Sequence, residues 1–174
     1  MKKKIGILGS TGSIGKNTIK IIENNKKDFE VIFLSTNTNI RQLYAQSVRL
    51  KTKAVIIFNK EKFIKYRSKF VKRRIKVFNS FNKLKSSLIK KKIDYIMCAI
   101  SGLDGLDSTI NCINMTESIA IANKEKAISL LKQATESEPL LAPAWNNLAK
   151  AFYELGRIKD AEHACRKGIQ LRTN

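Results

Sequence analysis

The sequence has little of what builds a disulfide-linked or metal-bound domain. Its three cysteines, Cys98, Cys112 and Cys165, are odd in number, lie far apart and include no C-x-x-C pair. The chain has a single histidine, His163, so no histidine pair is available to bind a metal. These shortages argue against a disulfide framework and a structural zinc site, and they suit a cytoplasmic protein.

Long apolar runs are also missing. No stretch approaches the ~18–20 residues that a membrane-spanning helix needs. The basic start MKKK leads into an apolar run that the segment GSTGSIGKN interrupts at once, which is not the pattern of a signal peptide. We therefore expect no association with a membrane. Apolar residues still make up 43% of the chain, which is enough for a packed core.

Acidic residues are scarce, with 14 against 34 basic ones and a net charge of +20. This excess favours phosphate contacts with nucleic acid, or it reflects AT-rich coding, which enriches Lys, Ile and Asn together. Those three residue types fill 52 of the first 125 positions. The basic runs KFVKRRIK and IKKKID also lack interleaved aromatic residues for base stacking. We interpret the charge as compositional and keep nucleic-acid binding as the weakest alternative.

The composition changes near Lys126. Lys, Ile and Asn fill only 11 of the last 49 positions, whereas alanine rises from 5 residues before the change to 8 after it. Both prolines, Pro139 and Pro143, belong to the second part. The net charge is +17 before the change and +3 after it. The shift predicts two segments of different origin, residues 1–125 and 126–174.

The first segment opens with a phosphate-binding pattern. The apolar run KKIGIL, the turn GSTGSIG and the helical stretch KNTIKIIENN follow one another as strand, glycine turn and helix. Gly9 allows a sharp turn, Gly12 allows a diphosphate to approach the backbone, and Gly15 allows close packing of helix on strand. The free N–H groups at the start of the helix would face the phosphates.

Strand-like and helix-like runs alternate through the rest of this segment. The alternation predicts an α/β fold, with a Rossmann-like, doubly wound parallel sheet. Ligands of such sheets bind at the carboxyl ends of the strands. Here those ends carry the segments GSTGSIG, STNTN, AISG and ANKE.

The end of the second strand indicates which nucleotide is preferred. Units that bind NAD usually place an acidic residue there for the ribose hydroxyls. This chain has Ser35-Thr36-Asn37-Thr38-Asn39 instead, with Arg41 two residues further on. A 2′-phosphate would meet hydroxyl and amide donors there without repulsion, which predicts a preference for NADPH over NADH.

Three ordered motifs, GILGSTGSIG, AISGLDGL and IANKE, resemble the N-terminal NADPH-binding domain of 1-deoxy-D-xylulose 5-phosphate reductoisomerases over about residues 1–125. That family rearranges and reduces its substrate in non-mevalonate isoprenoid biosynthesis, using NADPH and a divalent metal. The resemblance implies that Thr11, Gly12, Ser13 and Ile14 hold the diphosphate.

The other positions of the family's site follow from the same motifs. Asn39 would match the asparagine of the family's Gly-Lys-Asn segment at the adenosine end, where this chain has Asn37 and Thr38 in place of the glycine and lysine. Asn123 and Glu125 would face the nicotinamide. Lys124 would reach the substrate, and an ammonium at a strand's carboxyl end suits an anionic sugar phosphate.

The family's acidic metal cluster and catalytic domain would lie beyond IANKE, where nothing of that size follows. Glu136 and Glu138 have the family's Asp-x-Glu spacing, but they come soon after that motif and would point to different faces of one helix. We therefore predict no metal site, no catalytic residue in this chain, and no reductoisomerase turnover by the chain alone.

The second segment, PAWNNLAKAFYELGRIKDAEHACRKGIQL, resembles a tetratricopeptide repeat, and KAISLLKQATESEP resembles the second helix of a preceding one. An all-α tail over residues 126–174 follows from this. Gly168 stands where alanine is favoured and costs about 1 kcal/mol in a helix interior. The residues Asn146, Lys150 and Tyr153 share a helix face that could bind a peptide, and the tail is expected to rest on the α/β unit, a second copy or a protein partner.

Two hypotheses of different class remain. The first is a truncated, chimeric NADPH-binding fragment of a reductoisomerase that binds its cofactor without turnover. The second is a non-enzymatic interaction module whose tail recruits a protein. Titration with NADPH separates them.

Overall fold

A computed structural model of the chain describes residues 2–87, 93–100, 111–113, 115–121 and 124–173, with the backbone alone at residues 117, 124–126 and 173. Strands and helices alternate through the first of these ranges. They are β1 (Lys3–Leu8), α1 (Ser13–Asn24), β2 (Phe29–Thr36), α2 (Ile40–Arg49), β3 (Ala54–Ile57), α3 (Lys60–Val71), β4 (Lys76–Phe78) and α4 (Phe81–Ser87).

Residues 111–113 are helical, and the described part of the chain contains two further strands and three longer helices. They are β5 (Ile93–Cys98), β6 (Thr116–Ile121), α5 (Lys124–Ser137), α6 (Ala142–Glu154) and α7 (Ile158–Thr173). The side chains of Asn39 and Asn59 cap α2 and α3 by accepting a hydrogen bond from the main-chain N–H of the third residue of each helix, at 3.2 and 2.9 Å. Polar caps therefore set where these helices begin.

The six strands form one sheet in the order β4-β3-β2-β1-β5-β6, with every neighbouring pair parallel. The chain runs outward from β1 to β4 and then returns to place β5 on the other side of β1. This is the doubly wound, Rossmann-like sheet that the alternation predicts, and that prediction is confirmed. The order reverses between β1 and β5, which opens a crevice at the carboxyl ends of these two strands.

The two faces of the sheet bury separate apolar clusters. One cluster joins β1–β3 to α1, α2 and α3, with Leu34 and Phe70 fully buried in it. The other joins the opposite face to α4 and to the three C-terminal helices, with Ile96 and Ala134 fully buried. The C-terminal helices therefore share a core with the sheet and are not detached from it.

Helix α6 lies along the free edge of the sheet. The side chain of Asn147, which is only 6% exposed, accepts a hydrogen bond from the N–H of Ile119 in the edge strand β6 at 3.3 Å. The same side chain donates to the carbonyl oxygen of Pro143 at 2.8 Å. An edge N–H that would otherwise be left unpaired is thus satisfied by the helical tail. Whether the three helices are tetratricopeptide repeats stays a prediction.

Candidate functional site

The glycine turn after β1 lies in the crevice between β1 and β5. Gly9 has φ +75°, and a Cβ atom on it would lie 2.6 Å from the carbonyl oxygen of Ala99. A Cβ on Gly15 would lie 2.3 Å from the carbonyl oxygen of Gly9. These two positions therefore require glycine, one for its conformation and close approach and the other for packing of α1 on the turn.

Gly12 differs from its two neighbours in the motif. A Cβ there would meet nothing closer than the carbonyl oxygen of Gly9 at 3.5 Å, and its φ of −75° suits any residue. It stands at the start of α1 and carries no side chain to cover the first N–H groups of the helix. Those groups have no partner within a helix, and the helix dipole makes this end positive. The turn can therefore receive an anion at Gly12.

The crevice forms a cavity of about 290 Å³ at the carboxyl ends of the strands. Ser35, Thr36 and Asn37 supply polar groups from the end of β2. An aromatic ring comes from Phe58, which follows β3. The residues that line the cavity are Gly9, Thr11, Gly12, Ser35, Thr36, Asn37, Phe58, Ala99 and Ile100.

Hydrogen bonds attach the glycine turn to the end of β2. The N–H of Gly9 donates to the Ser35 hydroxyl at 2.8 Å, and the N–H of Ser10 donates to the Ser35 carbonyl oxygen at 2.9 Å. The hydroxyls of Thr11 and Thr36 share a hydrogen bond of 2.7 Å. The turn is thereby held in a defined position before any ligand arrives.

Three of the residues predicted to bind the diphosphate and the adenosine, Thr11, Gly12 and Asn37, line this cavity. Thr11 is half-buried in its wall, and Gly12, Ser13 and Ile14 are exposed at the start of α1. Asn37 is exposed and lines the same cavity.

The end of β2 contributes only uncharged side chains, those of residues 35–37, to the lining of the cavity. No carboxylate is among the lining residues, all of which belong to the described ranges. Asn39 is not in the lining, and its amide group hydrogen-bonds Gln42 as part of the α2 cap. Arg41 is exposed at the second position of α2. The local charge therefore suits an anionic group.

Of the residues predicted to contact the nicotinamide and the substrate, the structure describes only the backbone of Lys124 and Glu125. Asn123 lies outside the described residues, as does the SGLDG segment. Lys124 and Glu125 begin α5, directly beyond the carboxyl end of β6. Because the strands are parallel, this end shares an edge of the sheet with the glycine turn.

Two residues of the site were missed by sequence reasoning. Phe58 ends the apolar run AVIIF, which is typical of a strand and gives no sign of a ligand contact. Gln46, which is 2% exposed, contacts the glycine turn from α2. The only signal for Gln46 in the sequence was its position, three residues after Leu43 and four before Leu50, on the apolar side of the helix.

Two of the three cysteines, Cys98 and Cys112, are buried, and Cys165 is exposed. Burial, and next a hydrogen bond with Cys98, raises the pKa of the Cys112 thiol well above its usual value, so it stays protonated at neutral pH. In the part of the chain that the structure describes, no three His, Cys, Asp or Glu side chains are grouped to hold a metal ion. No helix of that part is long and apolar enough to cross a bilayer.

Both the sequence and the fold of the chain are similar to those of known proteins. The sequence profile of the family described as 1-deoxy-D-xylulose 5-phosphate reductoisomerase matches residues 5–130. The reductoisomerase of Pelagibacter ubique (strain HTCC1062) is 43% identical over 127 residues, which cover 72% of this chain and 33% of the relative. The chain thus spans about a third of the length of the curated relatives it matches.

Solved structures of the same family share the fold. The reductoisomerase of Zymomonas mobilis in complex with NADPH superposes with a TM-score of 0.68 and 25% identity, over 90% of this chain and 37% of that one. A reductoisomerase in complex with NADPH, fosmidomycin and magnesium superposes with a TM-score of 0.66 at 22% identity, over 77% and 34% of the two chains. These homologues bind NADPH, and the second also binds magnesium.

Proposed function

The chain belongs to the 1-deoxy-D-xylulose 5-phosphate reductoisomerase family, and from that membership we propose that it is the NADPH-binding portion of such an enzyme. The observation that carries the proposal is the open backbone at Gly12. A dinucleotide diphosphate needs N–H donors that no side chain covers, and the turn offers them beside a cavity of about 290 Å³.

Thr11, Gly12, Ser13 and Ile14 would hold the diphosphate. Thr11, Ser13 and Ile14 would donate their N–H groups, and Thr11 and Ser13 also their hydroxyls. Gly12, whose own N–H donates to the Gly9 carbonyl oxygen at 3.1 Å, would let the diphosphate approach the main chain. Asn37 would face the adenosine ribose from the end of β2, where it lines the cavity. Asn39 and the guanidinium of Arg41 would lie at the same end. The absence of a lining carboxylate among the described residues supports NADPH over NADH, because a carboxylate would repel the 2′-phosphate.

The catalytic side of the site is proposed from the family motif. Asn123 and Glu125 would flank the nicotinamide, and Lys124 would pair with the phosphate of the substrate. NADPH supplies a hydride when it is bound. Turnover in the family also requires a divalent metal, and the described residues group no ligands for one. We therefore expect this chain to bind the cofactor and not to catalyse the reaction by itself.

Isothermal titration with NADPH and NADH tests the proposal. We expect saturable 1:1 binding of NADPH with a dissociation constant at least about tenfold below that for NADH, since the 2′-phosphate adds charge-assisted contacts. An assay with substrate and manganese should show no turnover above background. Equal affinity for both nucleotides would remove the proposed preference, and turnover would contradict the proposed inactivity.

A second candidate is a protein-interaction module that uses the C-terminal helices. Several large apolar side chains are exposed there, including Tyr153 at 69%, Ile158 at 57% and Ile169 at 57%. Exposed apolar groups of this size favour contact with a partner or a second copy. A folded chain without affinity for NADPH would favour this candidate.

A further inference from the structure

A buried amide connects the glycine turn to α2. The Ser10 hydroxyl donates to Gln46 Oε1 at 2.8 Å, and Gln46 Nε2 donates to the Ser10 carbonyl oxygen at 2.9 Å. Ser10 is fully buried and Gln46 is 2% exposed. Water therefore does not compete for these bonds, and each polar atom of the Gln46 amide has a partner in the turn.

Every polar atom of Ser10 is engaged. Its N–H donates to the Ser35 carbonyl oxygen at 2.9 Å, and its hydroxyl lies 3.2 Å from the same oxygen besides its bond to Gln46. Its carbonyl oxygen accepts from Gln46. The peptide units on both sides of Ser10 are thus fixed, and the next residues, Thr11 and Gly12, are those that line the cavity.

Helix α2 also carries the adenosine side of the site at its start. Asn39 caps the helix, and Gln46 follows seven residues later, a rise of roughly 10 Å along the axis. Ile40 and Leu43 are buried against the sheet and hold α2 in place without help from Gln46. One rigid helix therefore joins the segment proposed for the 2′-phosphate to the turn proposed for the diphosphate.

We propose that Gln46 is a positioning residue that preorganises the glycine turn for the cofactor diphosphate and sets its distance from the adenosine end. This inference rests on the proposed function. Gln46 acts through Ser10, since it is not among the residues that line the cavity. A turn that must be ordered during binding lowers affinity, whereas one already ordered does not.

Replacing Gln46 with methionine tests this role. Gln46→Met keeps the length of the side chain and removes both hydrogen bonds to the turn. NADPH and adenosine 2′-monophosphate, which has no diphosphate, are titrated into each protein by calorimetry. We expect the dissociation constant of NADPH to rise about tenfold in the variant, and that of adenosine 2′-monophosphate to stay within about twofold.

Ser47→Ala is the matched control. Ser47 is fully buried on the same helix, but its hydroxyl donates to the Tyr44 carbonyl oxygen at 2.8 Å within α2 and not to the turn. This variant should lower the thermal midpoint while both affinities stay unchanged. If Gln46→Met does not fold, Ser10→Ala is the second variant. It removes the hydroxyl of Ser10 and keeps the bond from Gln46 to the Ser10 carbonyl oxygen. The affinity for NADPH should then fall about threefold, and that for adenosine 2′-monophosphate should stay unchanged.

The outcomes are distinct. Unchanged NADPH affinity in a folded Gln46→Met protein would overturn the positioning role and leave the proposed function intact. An equal loss for both ligands would overturn it too, because it would show a general effect on α2. Absence of NADPH binding by the unmodified chain would instead remove the proposed function.

Discussion

At the glycine turn, two glycines three residues apart have opposite surroundings. A methyl group on Gly15 would press on main-chain atoms at 2.3 and 2.6 Å, whereas one on Gly12 would have 3.5 Å of clearance. Gly15→Ala should therefore cost about 1–3 kcal/mol of unfolding free energy and abolish NADPH binding. Urea unfolding and calorimetric titration measure the two effects.

Gly12→Ala is the matched change. It should leave the unfolding free energy nearly unaltered and weaken NADPH binding at least about tenfold, because its methyl group would stand in front of the helix N–H groups. Full NADPH affinity in Gly12→Ala would show that the diphosphate does not lie on this turn.

The end of β2 decides the nucleotide preference in this account. Asn37→Asp places a carboxylate in the cavity wall, where it would repel a 2′-phosphate and accept hydrogen bonds from ribose hydroxyls. The ratio of NADH to NADPH dissociation constants should fall about tenfold.

Asn25→Asp makes the same charge change at the C-terminal end of α1, at the opposite edge of the sheet, and should leave the ratio unaltered. A ratio that moves equally in both variants would mean that overall charge, and not the position of Asn37, sets the preference.

The glycine turn of the candidate site was predictable from the sequence, because the spacing of Gly9, Gly12 and Gly15 is visible there directly. Gln46 and Phe58 were not found, since their roles depend on contacts between residues far apart in the chain. Ser10 and Gln46 are 36 positions apart and meet only when α2 packs on the sheet. A buried polar residue on an apolar helix face is a signal for such a contact but does not identify its partner.

Among the elements, the edge strand β6 depends on α6. Asn147→Leu would leave the Ile119 N–H without its acceptor in a buried setting, which should cost about 1–3 kcal/mol of unfolding free energy. The exchange of the Ile119 amide hydrogen should accelerate as well.

Lys150→Gln changes an exposed side chain on the same helix and should stay within about 0.5 kcal/mol of the unmodified protein. If Asn147→Leu is as stable as this control, α6 does not hold the sheet edge.

Helices α6 and α7 pack closely against each other at Gly168. A Cβ there would lie 2.3 Å from Asn146 Oδ1, so glycine has a packing reason in a helix interior where alanine is intrinsically better by about 1 kcal/mol. Gly168→Ala should therefore be close to neutral, because the displaced Asn146 amide offsets the gain in helix propensity.

In an Asn146→Ala background, the same change should stabilise the protein by about 1 kcal/mol, since the obstructing amide is gone. Urea unfolding of the four proteins measures the coupling. An identical effect of Gly168→Ala in both backgrounds would show that the two residues do not press on each other.

Element types followed the sequence pattern closely where periodicity was strong, as in β2, whose last six residues are all buried. The relation between the two segments was left open by the sequence. The change of composition at Lys126 predicts two segments of different origin, which stays a prediction, and it does not say whether they pack together. In the structure, Ala127 and Leu131 of α5 are buried in one cluster with Ile96 and Ile119 of the sheet. Packing depends on which apolar faces meet, and composition alone does not show this.

For the molecule as a whole, we propose that the turn from Thr11 to Ile14 cradles the diphosphate of NADPH, with the N–H groups of Thr11, Ser13 and Ile14 as donors and Gly12 leaving room for the phosphates. Titration of the ¹⁵N-labelled chain with NADPH, followed by amide chemical shifts, tests it directly. We expect saturable changes in the amide chemical shifts of Thr11, Gly12, Ser13 and Ile14, larger than those of residues at the amino ends of the strands. A folded chain whose turn amides do not move at saturating NADPH would contradict it.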